Sequence, residues 1–205
     1  MFWSNKIMKK IVMLGGSFNP PHNGHLRLLR AAGEEVGADL LLMMPTLAPP
    51  HKSAEGLASA RDRYNMCALC ADEIGAKASD MELVRGGKSY TVDTLLALHE
   101  EYGACEIYLT MGADMLVTLK DWRRYEEILL LCRILAVTRA GTQDDRFADV
   151  GRQIAADGGQ LSLFSLPPDG ISSTDIRARV RAGQPIHDLV PDAVAAYIVK
   201  NKLYV

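Results

Sequence analysis

Two histidines, His22 and His25, lie in the stretch GGSFNPPHNGH, directly after the apolar run Ile11–Leu14. They flank Asn23 and Gly24 and precede LRLLRAAGEEV, which has helical periodicity. The free N–H groups and positive dipole of a helix start attract anions, and imidazoles beside it can donate hydrogen bonds to phosphate oxygens. This pattern predicts a phosphate site without a lysine. The alternative is a pair of histidines that only caps a helix.

The sequence lacks the two common glycine-rich phosphate motifs. The run Gly15-Gly16-Ser17-Phe18 does not have the spacing of the dinucleotide fingerprint G-x-G-x-x-G. The string GGKS further along lacks the first glycine of a P-loop, because Glu82 stands at that position. Phosphate binding is therefore expected to depend on the HNGH segment.

A second phosphate-binding pattern, ISSTDIR, follows the last apolar run. It places Ser172, Ser173 and Thr174 at a helix start, with Arg177 one turn later. Such hydroxyls often act only as N-caps, which is the alternative here. An arginine fork beside them can clasp two phosphate oxygens, which favours a second phosphate cradle. Two cradles predict a substrate with several phosphates, such as a nucleoside triphosphate.

The elements that would position these residues alternate between strand and helix. Six apolar runs without in/out alternation predict strands buried on both faces: Ile11–Leu14, Leu40–Met44, Met81–Val84, Glu106–Thr110, Arg133–Thr138 and Leu161–Leu166. Helices are predicted at Gly24–Val36, Ala60–Ile74, Thr91–Tyr102, Arg124–Leu131, Asp144–Ala156, Thr174–Ala182 and Asp192–Lys200. We expect one doubly wound α/β domain over residues 1–205, with a mainly parallel sheet covered by helices on both faces. Ligands would bind beyond the carboxyl ends of its strands.

Composition narrows the classes of partner. Of the 205 residues 48% are hydrophobic and 23% charged, and the net charge is -2. We therefore expect no binding to nucleic acid or to an anionic membrane. No apolar run reaches the roughly 20 residues that span a bilayer, and the start lacks a secretory pattern, so we expect a cytoplasmic protein. Met8 offers an alternative start, with residues 1–9 as a dispensable extension; the oligomeric state is not predicted.

The four cysteines do not form a metal site by spacing. Cys67 and Cys70 make a C-x-x-C, whereas Cys105 and Cys132 stand alone, without a second pair or histidines at matching spacing. Within YNMCALCADEIG, positions three apart share one helical face. Buried small hydrophobic residues are predicted, and a redox pair is the alternative.

GGSFNPPHNGH together with ISSTDIR resembles the nucleotidylyltransferase superfamily with the (H/T)xGH motif. Further segments, in order, resemble its bacterial nicotinate-nucleotide adenylyltransferase family: PPHK (Pro49–Lys52), SYTVDTL (Ser89–Leu95), GADML (Gly112–Leu116), DWRRYEEIL (Asp121–Leu129) and LVPDAVAAYIVKNKLY (Leu189–Tyr204). The resemblance covers nearly the whole chain and implies a Rossmann-like fold. It also implies transfer of AMP from ATP, accompanied by Mg²⁺, to nicotinate mononucleotide, which gives deamido-NAD and pyrophosphate.

The same resemblance implies roles for residues in both cradles. His22 and His25 would stabilise the transition state, while Lys52 and Arg177 would neutralise phosphate charge. The implied ATP contacts are Gly15, Gly16, Ser17, Phe18, Gly24, Asp114, Ser172, Ser173 and Thr174. Read on the residues alone, Asp114 can also be a helix N-cap instead of a ribose or Mg²⁺ contact, and Lys52 a solvated surface residue.

The pyridine nucleotide is implied to bind SYTVDTL and DWRRY. Trp122 would stack on the pyridine ring, and Thr91, Val92 and Arg123 would hold its carboxylate, largely through N–H groups at a helix start. Asn19 is also placed on this side. A core tryptophan is the alternative for Trp122. Many relatives carry Asp at the position of Asn19 and an aromatic residue at that of Arg123.

Other functions stay open at this point. The same chemistry on nicotinamide mononucleotide or phosphopantetheine is one, although SYTVDTL and DWRRY argue against the latter. A non-catalytic nucleotide-binding module is another, against which the intact His22, His25 and Arg177 argue.

Overall fold

The computed structural model describes residues 8–48, 56–139 and 145–205. The strands are β1 (Lys9–Gly16), β2 (Leu40–Pro45), β3 (Lys77–Ala78), β4 (Cys105–Gly112), β5 (Arg133–Arg139) and β6 (Leu161–Leu166). The helices are α1 (Asn23–Val36), α2 (Ala60–Asp72), α3 (Met81–Arg85), α4 (Thr91–Tyr102), α5 (Ala113–Leu116), α6 (Tyr125–Leu131), α7 (Asp145–Ala156), α8 (Ser173–Arg181) and α9 (Asp192–Lys200), with a 3-10 turn at Leu119–Asp121. Across these described ranges, no helix is long and apolar enough to cross a membrane.

The strands form one parallel sheet in the order β3-β2-β1-β4-β5-β6. β1 is central, and its Ile11 pairs with Leu40 of β2 on one side and Ile107 of β4 on the other. The chain builds outwards from β1 to β3, then returns to build the other half. In such a sheet, ligands bind beyond the carboxyl ends of the strands, where this reversal occurs.

Successive residues of β1 belong to different core clusters. Ile11 and Met13 lie in a cluster that includes residues of α4 and α6. Val12 and Leu14 lie in one that includes residues of α1, α2 and α9. Because neighbouring strand side chains point to opposite faces, helices cover both faces of the sheet. The predicted doubly wound α/β fold is confirmed, and double burial explains why the central strands lack in/out alternation. The prediction of double burial is wrong for β6, none of whose residues is buried, because it lies at the edge of the sheet.

The strand predicted at Met81–Val84 is wrong, because this segment lies within α3. Asp80 stands at the N-cap position, and Gly86, with φ of 74°, ends the helix. The strand of this region is the two-residue β3, which pairs with β2 just before α3. A short apolar run cannot distinguish strand from helix, and two residues are too few to form a recognisable run.

All four cysteines are buried and free. Cys67 and Cys70 lie on α2 within the core. Burial raises the pKa of the Cys67 thiol and raises that of Cys70 to about 12. The prediction of buried, hydrophobic cysteines is confirmed. The redox alternative is disfavoured, because neither thiol ionises near neutral pH.

Candidate active site

The loop after β1 carries both HNGH histidines to the start of α1. His22 is the N-cap residue of that helix, and its ring centroid lies 3.7 Å from that of His25. His25 Nδ1 accepts a hydrogen bond from the backbone N–H of His22 at 3.2 Å. The buried ring of Phe18 meets the His25 ring in an edge contact, with centroids 5.0 Å apart. Packing therefore fixes both imidazoles at a helix N-terminus on the carboxyl edge of the sheet.

Burial keeps these two imidazoles neutral at physiological pH. It lowers the pKa of His22 to about 4, although the nearby Asp169 carboxylate acts in the opposite direction. Burial also lowers the pKa of His25 well below its usual value, and the neighbouring His22 adds to this shift. Because His25 Nδ1 accepts a hydrogen bond, its proton resides on Nε2. The Nε2–H group is therefore a donor that the helix cap does not use.

Gly24 has a neighbour that a larger residue would displace. A Cβ atom at this position would lie 2.6 Å from Asp169 Oδ2 and 3.0 Å from His22 Nδ1. Asp169 is held by Arg27, whose guanidinium lies 2.7 Å from Oδ2, and by the backbone N–H of Ile171 at 3.1 Å. Asp169 and Arg27 were not predicted from the sequence, since neither belongs to a recognised motif. The glycine thus lets the loop after β6 approach the first cradle.

The structure brings the second predicted cradle against the first. Ser173 Oγ, at the start of α8, donates to the carbonyl of Pro20 at 2.8 Å. Arg177 donates to the carbonyl of Asn19 at 2.8 Å and to Thr174 Oγ1 at 3.3 Å. Ser172 serves as the N-cap, because its Oγ accepts from the Asp175 N–H. The two predicted cradles therefore bond directly to each other through Asn19 and Pro20, which precede HNGH, although the chain separates them widely.

Asn19 makes several hydrogen bonds at the point where the two cradles meet. Its Nδ2 donates to the carbonyl of Gly56 at 2.9 Å, and its Oδ1 accepts from the N–H of Ala58 and from the hydroxyl of Tyr204, each at 2.9 Å. Asn19, which was predicted on the pyridine-nucleotide side, therefore makes most of its side-chain hydrogen bonds within the protein.

Arg63, on α2, is a supporting residue that the sequence analysis missed. It is 1% exposed, and its guanidinium donates to the carbonyls of Ser17, Thr46, Leu47 and Ala58 at 2.7 to 3.1 Å. These carbonyls belong to the segments after β1 and β2 and before α2, so one side chain fixes three loop backbones. A signal was present, because Arg63 shares a helical face with the buried Met66, Cys67 and Cys70.

The predicted pyridine pocket lies around the start of α4. Tyr90 is the N-cap residue of α4, and its side chain makes no capping hydrogen bond. The N–H groups of Thr91 and Val92 also have no carbonyl partner within the helix, because no turn precedes them. The Arg123 guanidinium lies over the Tyr90 ring, 4.5 Å from its centroid. Trp122, immediately before it, donates from Nε1 to Thr118 Oγ1 at 3.4 Å. The segments SYTVDTL and DWRRY are therefore adjacent in space.

A buried polar network lies behind this helix start. Glu82 Oε1 accepts from Thr94 Oγ1 at 2.7 Å, and Arg85 donates to the same hydroxyl at 3.0 Å. Burial raises the pKa of Glu82, which the Ser89 and Thr94 hydroxyls and the Arg85 charge partly offset. Ser89 Oγ also accepts from the N–H of Leu47. The network ties the first turns of α4 to the loop after β2.

Of the two remaining predicted residues, one lies within the described part of the chain. Asp114 is exposed in the first turn of α5, directly after β4. Lys52 falls in segment 49–55, which lies outside the described residues.

The family model called cytidylyltransferase-like matches residues 13–179, a range that contains both cradles and all the strands except the first part of β1. The chain belongs to the cytidylyltransferase-like family. This membership agrees with the resemblance inferred from HNGH and ISSTDIR.

Full-length relatives within the cytidylyltransferase-like family share more than a third of their residues with the chain. A protein of Desulfitobacterium hafniense is 38% identical over 96% of both chains, and one of Corynebacterium jeikeium is 39% identical over 94% of this chain and 98% of its own. A Neisseria meningitidis protein is 36% identical over 96% of this chain and 99% of its own. Each is named "Probable nicotinate-nucleotide adenylyltransferase".

Solved structures share the fold at low identity. The Plasmodium falciparum nicotinic acid mononucleotide adenylyltransferase complexed with NaAD superposes with a TM-score of 0.76 at 20% identity, covering 96% of this chain and 97% of its own. This likeness supports the architecture of the cytidylyltransferase-like chain described here.

Proposed function

We propose that the protein transfers AMP from ATP to nicotinate mononucleotide, giving deamido-NAD and pyrophosphate. The observation that carries this proposal is the junction of the two cradles, in which Ser173 and Arg177 bond the carbonyls of Pro20 and Asn19 beside His22. This junction suits a triphosphate that must contact both. The shared name of the full-length relatives supports the choice of acceptor.

In the proposed reaction, a phosphate oxygen of nicotinate mononucleotide attacks the α-phosphorus of ATP. The new P–O bond forms as the bond to the α–β bridging oxygen breaks, and pyrophosphate leaves with its negative charge. The acceptor phosphate is already largely ionised at neutral pH, so the reaction needs charge stabilisation and in-line placement more than a strong base. His22 and His25 donate N–H groups to the phosphate oxygens, and Arg177 and Lys52 balance the charge of the triphosphate.

The remaining predicted ATP contacts surround these groups in the proposal. The backbone from Gly15 to Phe18 and the backbone of Gly24 accommodate the nucleotide, while Asp169 fills the space beside the Gly24 Cα. Ser172, Ser173 and Thr174 present the start of α8 to its phosphates. Asp114 is assigned to a ribose hydroxyl or to the accompanying ion.

Mg²⁺ would supply further neutralisation of the triphosphate in this proposal. Within the described parts of the chain, no group of three or more His, Cys, Asp or Glu side chains is arranged to hold a metal ion. In this proposal Mg²⁺ arrives with the substrate, bound to the ATP phosphates. Asp114 is the carboxylate that we place closest to this role, because it follows β4 on the binding edge.

The acceptor side of the proposal uses the start of α4. The Thr91 and Val92 N–H groups receive the pyridine carboxylate, and Trp122 offers an aromatic face to the ring. Arg123, stacked on Tyr90, places a cation beside this helix start. A carboxylate gains from both the helix dipole and the cation, whereas a carboxamide gains less, so the acid is the preferred acceptor.

The test is pyrophosphate release with ATP and Mg²⁺, run in parallel with nicotinate and nicotinamide mononucleotide. We expect faster release with the acid. The variant His25→Ala should lower kcat by about 10² to 10³, because a well-aimed donor to developing charge is lost. His187→Ala removes an exposed imidazole outside the site and should leave kcat unchanged.

Each other outcome argues against a particular part of the proposal. Equal rates with the two acceptors would contradict the pocket assignment. ATP binding without pyrophosphate release from either acceptor would favour a non-catalytic module or another acceptor. An unchanged kcat in His25→Ala would contradict the role of the HNGH histidines.

A further inference from the structure

A tyrosine from the segment after α9 reaches the loop after β1, which carries the HNGH histidines. Tyr204 donates its hydroxyl proton to Asn19 Oδ1 at 2.9 Å, across a separation of 185 residues. Its ring packs against the core cluster that contains Val12 and Leu14 of β1. The hydroxyl therefore joins the segment after α9 to the loop that precedes HNGH.

Asn19 passes this contact on to the groups that would bind phosphate. Its backbone carbonyl accepts the hydrogen bond from Arg177. Its side-chain amide bonds the backbone carbonyl of Gly56 and the backbone N–H of Ala58. Gly56 and Ala58 directly follow segment 49–55, which carries Lys52. One residue thus connects the loop of the histidines, the arginine of α8 and the end of the segment that bears the lysine.

The backbone at Tyr204 is held in an unfavourable conformation. Its φ angle is 66°, in the left-handed region that bulky residues rarely adopt. Such conformations persist only where the surrounding contacts hold them, and they concentrate at functional sites. The hydroxyl contact and the ring packing are the contacts that hold Tyr204.

The hydroxyl is suited to act as a permanent donor. Burial raises the pKa of Tyr204 above its ordinary value, so the proton stays on the oxygen at neutral pH. Asn19 Oδ1 has two lone pairs, and the Ala58 N–H and the Tyr204 hydroxyl occupy both. Removal of the hydroxyl would leave the amide held only by Gly56 and Ala58, so its orientation would be fixed less tightly.

We propose that Tyr204 is a positioning residue of the adenylyl-transfer site, which acts by holding Asn19 and, through it, Arg177 and the backbone after segment 49–55. This inference rests on the proposed function. It predicts that loss of the hydroxyl misplaces the phosphate-binding groups while the fold stays intact.

The test compares Tyr204→Phe with Tyr108→Phe. Tyr108 lies in the same core cluster and also donates one 2.9 Å hydrogen bond to a side-chain oxygen, that of Glu106, which lies toward the amino end of β4. We expect Tyr204→Phe to lower kcat about three- to tenfold, as the loss of one positioning hydrogen bond predicts, while Tyr108→Phe leaves kcat unchanged. Both variants should show similar small decreases in melting temperature.

Amide hydrogen exchange at Ala58 gives a readout that does not depend on activity. Exchange should accelerate in Tyr204→Phe and stay unchanged in Tyr108→Phe.

Asn19→Ala should lower kcat to the same value with or without Tyr204→Phe, because Tyr204 acts through Asn19. Unchanged kcat and unchanged Ala58 exchange in Tyr204→Phe would overturn the inference, as would fully additive losses in the double variant. The wild type could instead prove inactive while Ala58 exchange is still faster in Tyr204→Phe than in the wild type. That result would contradict the proposed function and support the link between Tyr204 and Asn19.

Discussion

Burial sets the protonation of the two HNGH histidines more than any neighbouring charge does. His22 is 8% exposed, and burial outweighs the opposing effect of Asp169 on its pKa. A charged pair of imidazoles with ring centroids 3.7 Å apart would repel itself in the free protein. Neutral imidazoles avoid this cost and still offer N–H donors. Two neutral N–H donors of this kind fit the proposed stabilisation of negative charge that arrives with ATP.

The same burial predicts how folding stability depends on pH. In the unfolded chain an imidazole binds its proton below about pH 6.5, whereas folded His22 binds it only below about pH 4. Between these values the unfolded state holds more protons, so stability falls as the pH falls. We expect His22 alone to remove about 3 kcal/mol of the free energy of unfolding across this window. Urea unfolding at pH 7 and pH 4.5 measures most of this loss.

The matched variant for this measurement is His22→Gln, which cannot titrate. Its stability should decrease less than that of the wild type between the two pH values, and the difference isolates the imidazole from the carboxylates. Parallel decreases in both proteins would contradict a neutral, buried His22.

The helix starts at HNGH and ISSTDIR were predictable from residue types and spacing, but the long-range partners of the residues beside them were not. HNGH and ISSTDIR are local patterns, and each predicted a helix start that the structure contains. Asn19, in contrast, bonds residues 37, 39 and 185 positions away. Hydrogen bonds over such separations depend on how helices and strands pack, which local spacing does not determine.

At the level of secondary-structure elements, α2 fixes the loops that form the binding edge. Arg63 brings a buried cation to four backbone carbonyls from three loops. Burial lowers the pKa of this guanidinium, yet an arginine remains charged at all ordinary pH values. The helix therefore supplies hydrogen bonds where irregular backbone would otherwise leave carbonyls buried without donors.

Replacement of Arg63 should cost stability as well as loop order. Arg63→Met keeps the apolar length of the side chain but leaves buried carbonyls without donors, each a cost of about 1 to 3 kcal/mol. We expect the free energy of unfolding to fall by about 3 kcal/mol or more. Arg61→Met is the matched control on the same helix. Its side chain is 64% exposed and lies 3.9 Å from Asp80, so its loss should cost less than about 1 kcal/mol. Equal losses, measured by chemical denaturation, would contradict the role assigned to Arg63.

Element type was predictable where an element is long and failed where it is short. The amphipathic α1 and the buried β1, β4 and β5 gave clear patterns, because packing on the sheet demands them. α3 has five residues and β3 has two, so neither is long enough for its pattern to repeat. Their identity depends on capping and on pairing with β2.

At the scale of the whole molecule, alternation of strand and helix predicted a parallel sheet but not its strand order. That order requires knowledge of which strands pair, and it places β1 beside β4, with α1 and α4 on opposite faces of the sheet. Every carboxyl end then lies on one edge. The two cradles and the start of α4 meet there because of this topology, although they come from distant parts of the chain.

This topology predicts where ligands protect the backbone. Amide hydrogen exchange with a non-hydrolysable ATP analogue and Mg²⁺ should slow in residues 15–25 and 172–177, and addition of nicotinate mononucleotide should then slow exchange in residues 91–95 and 118–123. Amides near Cys105, at the opposite edge of the sheet, should not change, since β4 begins there. The groove between α7 and β6, lined by Phe147, Gly151 and Leu163 among others, is a built-in comparison, because it lies away from the cradles. Protection in that groove without protection of residues 15–25 would place the nucleotide elsewhere and contradict the binding edge that the sheet defines.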